Sequence, residues 1–300
     1  VWGWVAGGGR GGGGAGGRAA AAAGLGGVDA VVDQGLGTSQ VRGAFFGNYS
    51  AADGRGVYEL LSTAVSASAS ARYARSNIYA PKPATTLLLN REVPVEDLGI
   101  LYAFAAPEAS VKNQALSQIL ARHLRVRAFE TLRTEEQLGY AAGGGALDLY
   151  KHPMVILYIQ TPVKGPQEML DRFTAYTEEY RDELAALPEA SFEKFKAGVL
   201  TALTEPPKNL SAEAGPFVSD WAIEHYDFDT RTKLIAAVNA ATLQDVQRFY
   251  EETVFSEASS RIIIQLRGKR YSERPFATVD GGVVIDDIDK FHNDMPVQAR

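Results

Sequence analysis

The sequence is distinguished first by what it lacks. It contains no cysteine, which excludes disulfide bonds and thiolate metal sites. Its net charge is −6, so it lacks the excess of Lys and Arg with which most nucleic-acid-binding proteins neutralise phosphates. No apolar run reaches the roughly 18–20 residues that a transmembrane helix requires. We therefore expect no nucleic-acid partner and no membrane partner, and a cytoplasmic location with the mitochondrion or plastid as alternatives.

The usual motifs of hydrolases are also missing. A zinc hydrolase holds its metal with imidazoles and a carboxylate, but no histidine here begins an HExxH or HxxEH motif. The nearest approach is WAIEH, from Trp221 to His225, where tryptophan stands in place of the first metal-binding histidine. We interpret Glu224 and His225 as surface or helix-cap residues and predict no metal ligand in this chain. A GxSxG motif for a serine nucleophile is absent as well.

Residues 1–42 form a Gly/Ala-rich segment of low complexity. Such a segment offers little side-chain surface to bury, and we predict a disordered lead-in. It holds a formal GxGxxG at Gly9, Gly11 and Gly14, but neither the preceding strand nor the later acidic residue of a dinucleotide site. Because the first residue is Val1 rather than methionine, we expect a fragment of a longer product or an incomplete gene model.

Beyond residue 80 the sequence alternates between strand and helix patterns. Apolar runs typical of strands occur at 85–90, 99–105, 137–142, 154–160 and 262–266. The glycines from Gly143 to Gly145 are interpreted as a link between two of these strands. Helical periodicity occurs at 110–132, 167–186, 189–204, 211–225, 230–239 and 242–254. This order predicts an α+β fold in which helices cover one face of an antiparallel-rich sheet.

The helix predicted at 110–132 has two contrasting faces. Ser110 is a suitable N-cap, and an apolar stripe runs from Leu116 to Leu132. The opposite face carries basic residues, namely Arg122, His123, Arg125 and Arg127. We interpret this face as solvated, and the alternative is a surface that attracts an acidic peptide or a partner lobe.

One segment is specific: Phe129 to Tyr140 reads FETLRTEEQLGY. It closely resembles a signature in the last domain of the insulinase/pitrilysin family, zinc peptidases with an inverted HxxEH motif. Later stretches also resemble patterns of that family, namely PPKNLSAE at 206–213, W…YDFD at 221–229 and TLQDV…FY at 242–250. The resemblance covers residues 43–300 and is densest at the FETLRTEEQLGY segment.

The resemblance implies an architecture and a division of labour. In that family, related α+β domains of the metallopeptidase LuxS/MPP-like type form two halves around a chamber. Residues 43–80 would be the remnant of the preceding domain, and 81–300 the C-terminal domain. Zinc would be bound outside this chain, by an N-terminal HxxEH-bearing half that belongs to the same full-length chain or to a separate subunit. The complete metalloendopeptidase would degrade peptides, and this chain would enclose substrate but be inactive alone.

The resemblance also assigns roles to individual residues. Arg133 and Tyr140 correspond to family residues that reach the zinc site and help to hold the substrate and the tetrahedral intermediate. Phe129 corresponds to a residue that lines the same substrate pocket. Spacing alone favours structural roles instead, because a cation such as Arg133 stabilises a helix C-terminus and Tyr140 could pack along a strand.

Two other functions stay open. The chain could be a non-enzymatic binding or structural subunit derived from the same family, or a generic α+β domain. The presence of Arg133 and Tyr140 favours the peptidase, because a scaffold has no need of hydrogen-bond donors for an oxyanion.

Overall fold

The computed structural model describes residues 44, 46–48, 50–64, 82–149 and 151–294. The lead-in predicted for 1–42, with its GxGxxG motif, lies outside the described residues.

The chain divides into two compact units. One comprises Val1–Ile78 and Lys208–Val218, and the other comprises Tyr79–Pro207 and Ser219–Arg300. The domain boundary predicted at residue 80 stays a prediction.

The first unit contains helix α1, which spans Ala51–Ala64. Its start is capped by a reciprocal pair of hydrogen bonds: the Ser50 N–H donates to the Asp53 carboxylate (2.8 Å), and the Asp53 N–H donates to Ser50 Oγ (3.2 Å). This arrangement satisfies backbone donors that the first turn of a helix otherwise leaves unpaired. In the same unit, the rings of Phe46 and Phe217 lie 6.1 Å apart.

The second unit contains a six-stranded sheet. Its strands are β1 (Thr86–Glu92), β2 (Leu98–Ala105), β3 (Ala141–Leu149), β4 (His152–Thr161), β5 (Ser260–Arg267) and β6 (Val283–Val284). Their order across the sheet is β3-β4-β2-β5-β1-β6.

The sheet is mixed, so the prediction of an antiparallel-rich sheet was wrong. Strands β3, β4, β2 and β5 pair in antiparallel fashion, but β1 runs parallel to both of its neighbours, β5 and β6. The reason is that β5, which follows the helices in sequence, lies between β1 and β2 in the sheet. Strands β1 and β2 run in opposite directions, so a strand between them that is antiparallel to β2 is parallel to β1. Sequence proximity alone would have paired β1 with β2 as a hairpin.

Helices occupy most of the remaining described chain. They are α2 (Val111–Ala128), α3 (Pro166–Ala185), α4 (Glu189–Thr204), α5 (Leu210–Ala222), α6 (Thr230–Ala240), α7 (Leu243–Tyr250) and α8 (Ile288–Asp294). Short π-helical segments extend two of them, Phe129–Glu135 after α2 and Glu251–Phe255 after α7. None of the described helices combines the length and the apolarity that a bilayer span needs.

The main core lies between one face of the sheet and the helices. Alternate residues of β2, from Leu98 to Phe104, are 0–3% exposed on this face. The apolar stripe predicted for α2 is buried against it, with Leu120 and Leu124 each 1% exposed. Fully burying one such side chain stabilises the fold by roughly 1.5–3 kcal/mol. The predicted N-cap is also confirmed, because Ser110 Oγ accepts from the Asn113 N–H at 3.2 Å.

The start of β3 differs from the prediction. The strand begins at Ala141 rather than Gln137, and the predicted glycine link from Gly143 to Gly145 lies inside it. Gln137 has a φ of +53°, which is incompatible with a strand at that point. A Cβ on Gly144 would lie 2.7 Å from Leu124 Cγ, so glycine is what allows α2 to pack closely on β3.

The basic face of α2 is only partly solvated. Arg122 and Arg125 are exposed, but His123 is 6% exposed. Its Nδ1 lies 2.9 Å from the Tyr180 hydroxyl on α3, and its Nε2 lies 3.6 Å from Glu183 Oε1. The prediction of a solvated face was therefore wrong at His123, because α3 and α4 cover that side of the helix.

His123 should make the stability of the fold depend on pH. Burial, and to a lesser extent the nearby Arg127 cation, lowers the pKa of His123 to about 4, whereas an unfolded histidine titrates near 6.5. The unfolded chain therefore binds more protons between these values, and the fold loses stability as the pH falls through this window. We expect a loss of about 2 kcal/mol from this residue between about pH 7.5 and pH 5.

The measurement is urea unfolding at both pH values, with His123→Gln for comparison. The variant should lose less stability than the wild type on acidification, by about that amount. An identical pH dependence in the two proteins would show that His123 does not titrate on unfolding.

Gly139 sets a second test of the fold, because the chain approaches β4 very closely at this point. A Cβ on Gly139 would lie 2.0 Å from the carbonyl oxygen of Gln160, and backbone atoms cannot move aside as a side chain can. We expect Gly139→Ala to lower the free energy of unfolding by about 3 kcal/mol. Gly145→Ala is the matched control, since nothing lies within 4 Å of a Cβ there, and its effect should stay within about 0.5 kcal/mol. Equal effects in urea unfolding would contradict this account.

Candidate functional site

The candidate site lies where α2 ends. Leu132, in the π-helical segment Phe129–Glu135, is 0% exposed and anchors the segment in the core. Phe129 is 43% exposed, and Arg133 is half-buried. The wide π-helical turn is uncommon and is frequently found at functional sites.

The structure brings together the three side chains that the signature singles out. The guanidinium carbon of Arg133 lies 4.6 Å from the ring centroid of Phe129 and 4.8 Å from that of Tyr140. Arg133 is thus stacked against two aromatic rings, and cation–π contacts at such exposed sites stabilise by roughly 0.5–1 kcal/mol each. The stacking restricts the flexible arginine side chain and leaves the edge of its guanidinium free to donate.

Tyr140 does not pack into the core. Its side chain is 85% exposed and precedes β3, so the alternative of a tyrosine packed along a strand was wrong. The C-terminal position of Arg133 in its segment does favour a cation electrostatically. That interaction does not use the guanidinium N–H donors and leaves them available.

The turn between Arg133 and Tyr140 is held by backbone hydrogen bonds. The Glu136 N–H donates to the Thr131 carbonyl at 2.9 Å, and the Leu138 N–H donates to the Leu132 carbonyl at 3.0 Å. The Thr161 hydroxyl of β4 donates to the Leu138 carbonyl. With Leu138 only 4% exposed, the turn is anchored at its centre, while Gln137 and Tyr140 are exposed.

The charges around the site are unevenly paired. Arg133 makes no ion pair or side-chain hydrogen bond with any residue in the part of the chain that the structure describes. Nearby, Glu130 is paired with Arg127, and Glu136 is paired with Arg172 of α3. Arg133 is therefore a cation near the surface whose donors are not consumed by the carboxylates beside it in sequence.

The near-miss motif WAIEH does not form a zinc-binding helix. Helix α5 ends at Ala222, and Glu224 has a φ of +60°. His225 instead lies in a turn, where its Nε2 is 2.7 Å from Asp229 Oδ1. It is half-buried and serves the turn, which agrees with the interpretation of a cap or surface residue.

His225, Asp227 and Asp229 offer ligand atoms within 4.8 Å of one another. Lys233 Nζ already lies 3.0 Å from the Asp229 carboxylate. Hydrogen bonds from His225 and Lys233 lower the pKa of Asp229. Because the carboxylate is already occupied by a histidine and a lysine, we interpret the cluster as a hydrogen-bonded and ion-paired group of side chains beside the start of α6.

Sequence analysis missed two residues of this region, Arg172 and Gly139. Arg172 lies on α3, far from the signature in sequence, and nothing in its local pattern reveals its contact with Glu136. The close approach at Gly139 depends on the position of β4. The one available signal was the Gly-Tyr pair itself, since a glycine just before a strand indicates a bend or a close contact.

Comparisons with known proteins support the resemblance stated above. Residues 119–218 match the family described as "PQQ synthase PqqF-like, C-terminal lobe domain 4". The chain is 24% identical over 188 residues to "Protease 3" of Escherichia coli strain K12, an alignment that covers 63% of this chain and 20% of the relative. It is 28% identical over 187 residues to the "A-factor-processing enzyme" of Saccharomyces cerevisiae, covering 60% of this chain and 18% of the relative. The chain thus spans about a fifth of the length of these relatives.

The fold is also shared with a solved structure. The crystal structure of pitrilysin matches with a TM-score of 0.77 at 21% identity, and the match covers 84% of this chain and 27% of pitrilysin. Sequence and fold together relate this chain to the C-terminal domain of the insulinase/pitrilysin family of metallopeptidases.

Proposed function

We propose that this chain is the non-catalytic, substrate-enclosing C-terminal half of a zinc metalloendopeptidase that degrades peptides. In this proposal residues 81–300 form the last domain and 43–80 the end of the preceding one. The observation that supports it best is the stack of Phe129, Arg133 and Tyr140. This stack presents a cation and a phenol at the surface, and among the described residues no side chain accepts a hydrogen bond from either.

The residues that the structure describes do not fit a catalytic zinc site. The chain has no HxxEH motif, and the His225 cluster has a carboxylate already paired with a lysine. In this proposal an N-terminal half would hold the zinc, which would supply Lewis-acid polarisation of the peptide carbonyl and activation of a water molecule.

Arg133 and Tyr140 would act on the charge that develops during peptide hydrolysis. The scissile carbonyl oxygen gains negative charge as the tetrahedral intermediate forms. A guanidinium N–H and a phenol O–H that donate to this oxygen stabilise the transition state more than the ground state. Stacking on Phe129 and Tyr140 holds the guanidinium in place beforehand, so that little reorganisation is needed.

Phe129 would serve a different purpose in the same place. Its exposed ring would offer apolar surface to a substrate side chain, and the same ring contacts the Arg133 guanidinium. A purely structural subunit, the alternative function, has no use for a cation whose donors are left unpaired beside two exposed rings.

The isolated chain should bind no zinc stoichiometrically and should not hydrolyse a quenched fluorescent peptide, because it lacks the metal-binding motif. The check is the zinc content per chain after dialysis against buffer with trace zinc, together with a peptide hydrolysis assay. One zinc per chain accompanied by zinc-dependent turnover would sink the proposal.

The donors themselves are tested in a complemented enzyme, made by mixing this chain with a separately produced HxxEH-bearing half. Arg133→Ala should lower kcat by about 100-fold, and Tyr140→Phe by about 10-fold, because each removes a donor to the oxyanion. Arg125→Ala, an exposed arginine on α2, is the matched control and should leave kcat unchanged. If Arg133→Ala and Tyr140→Phe behave like the control, these residues have no active-site role.

A further inference from the structure

Glu136 lies between Arg133 and Tyr140 in sequence and caps the π-helical segment that carries Arg133. Its carboxylate forms a hydrogen-bonded ion pair with Arg172 of α3. Arg172 Nε donates to both oxygens of Glu136, at 3.1 and 2.9 Å, and Nη2 makes a third, short contact with the same group. This is a fork-shaped, charge-assisted contact, which fixes geometry as well as adding energy.

Arg172 is itself held firmly. Its Nη1 and Nη2 donate to Glu179 at 3.1 and 2.9 Å, and its guanidinium carbon lies 5.7 Å from the ring centroid of Tyr176. The side chain is only 15% exposed. Its pKa is raised, chiefly by the hydrogen bonds to Glu136. Every guanidinium nitrogen of Arg172 is therefore engaged, in contrast to Arg133.

Helix α3 gives this contact a rigid base. Met169, Phe173 and Tyr176, on the buried side of the helix around Arg172, are 0–2% exposed. The contact thus ties the turn between Arg133 and Tyr140 to a helix that belongs to the core. Without it, the outward-facing part of the turn would depend on the hydrogen bonds at Leu138.

We propose that Arg172 and Glu136 are positioning residues, a clamp that holds the Arg133 guanidinium and the Tyr140 phenol at the separation needed by the proposed peptidase site. This inference rests on the proposed function. Neither clamp residue touches the substrate, and both act through Arg133 and Tyr140. A displacement of about 1 Å in such donors can cost on the order of 100-fold in rate.

The chain provides a matched control on the same helix. Arg181 of α3 also binds a glutamate through Nε and Nη2, which donate to Glu251 Oε1 and Oε2, each at 2.6 Å. Its partner belongs to the π-helical segment that extends α7, not to the candidate site. Arg181→Ala therefore removes an arginine–glutamate ion pair from the same helix without loosening the turn at 136–140, and the Arg181 side chain is 43% exposed against 15% for Arg172.

The experiment measures kcat and KM of the complemented peptidase with Arg172→Ala, Glu136→Gln and Arg181→Ala. The clamp variants should lower kcat by about 10-fold with little change in KM, and Arg181→Ala should match the wild type. Arg172→Lys should recover part of the loss, because a lysine keeps the charge but not the fork. Glu136→Gln keeps the size of the side chain and serves if Arg172→Ala fails to fold.

A double variant separates positioning from a general loss of stability. If Arg172 acts through Arg133, then Arg172→Ala should lower kcat much less in the Arg133→Ala background than alone. A full, multiplicative loss in the double variant overturns the inference, as does a loss in Arg181→Ala equal to that in Arg172→Ala.

Amide hydrogen exchange of this chain alone distinguishes failure of the clamp from failure of the proposed function. Arg172→Ala should speed exchange at the Glu136 and Leu138 N–H groups by about 10-fold, while Arg181→Ala should not. If Arg133→Ala leaves peptide hydrolysis unchanged, the proposed active-site role of Arg133 fails, and the exchange rates alone then decide whether the clamp orders the turn. Unchanged exchange in Arg172→Ala overturns the clamp whatever the kinetics show.

Discussion

Helix α2 lies directly against the sheet, and this contact depends on a position that has no side chain. A Cβ on Gly144 would lie 2.7 Å from Leu124 Cγ and 3.2 Å from Ala128 Cβ. Because glycine occupies that position, the helix comes close enough to bury Leu124, Ala128 and Leu132 in one continuous core. The same helix continues into the segment that carries Arg133, so the position of the candidate site follows from the packing of the core.

The candidate site combines rigid attachment with exposure. Leu132 and Leu138 are buried, and the Leu138 N–H donates a hydrogen bond to the Leu132 carbonyl. Tyr140, two residues after Leu138, is 85% exposed. Arg133 and Arg172, two arginines near the same turn, are used in opposite ways. Arg172 has its nitrogens committed to carboxylates, and Arg133 is stacked on rings that leave its donors free. This contrast is what suggests that one arginine acts on a ligand and the other on the protein.

Much of the secondary structure could be predicted from the sequence, since apolar spacing reports burial directly. The stripe of α2, the strands β2 and β4 and the cap at Ser110 all rest on local patterns of this kind. The mixed sheet could not be predicted, because the insertion of β5 between β1 and β2 depends on contacts between distant parts of the chain. His123 was misjudged for a related reason: its neighbours on α2 are arginines, but Tyr180 and Glu183, which surround it, belong to another helix. The signature identified Phe129, Arg133 and Tyr140, but their stacking is a property of the turn and became visible only in the folded chain.

The π-helical winding of Phe129–Glu135 limits how this region can vary. Successive residues of a helix project in different directions around its axis, so one residue inserted or deleted between Phe129 and Leu132 would turn Arg133 away from the Phe129 ring. It would also carry Leu132 out of the core, because the two side chains are separated by a single step of the same helix. The length of this segment is therefore tied to two requirements at once, one of folding and one of recognition.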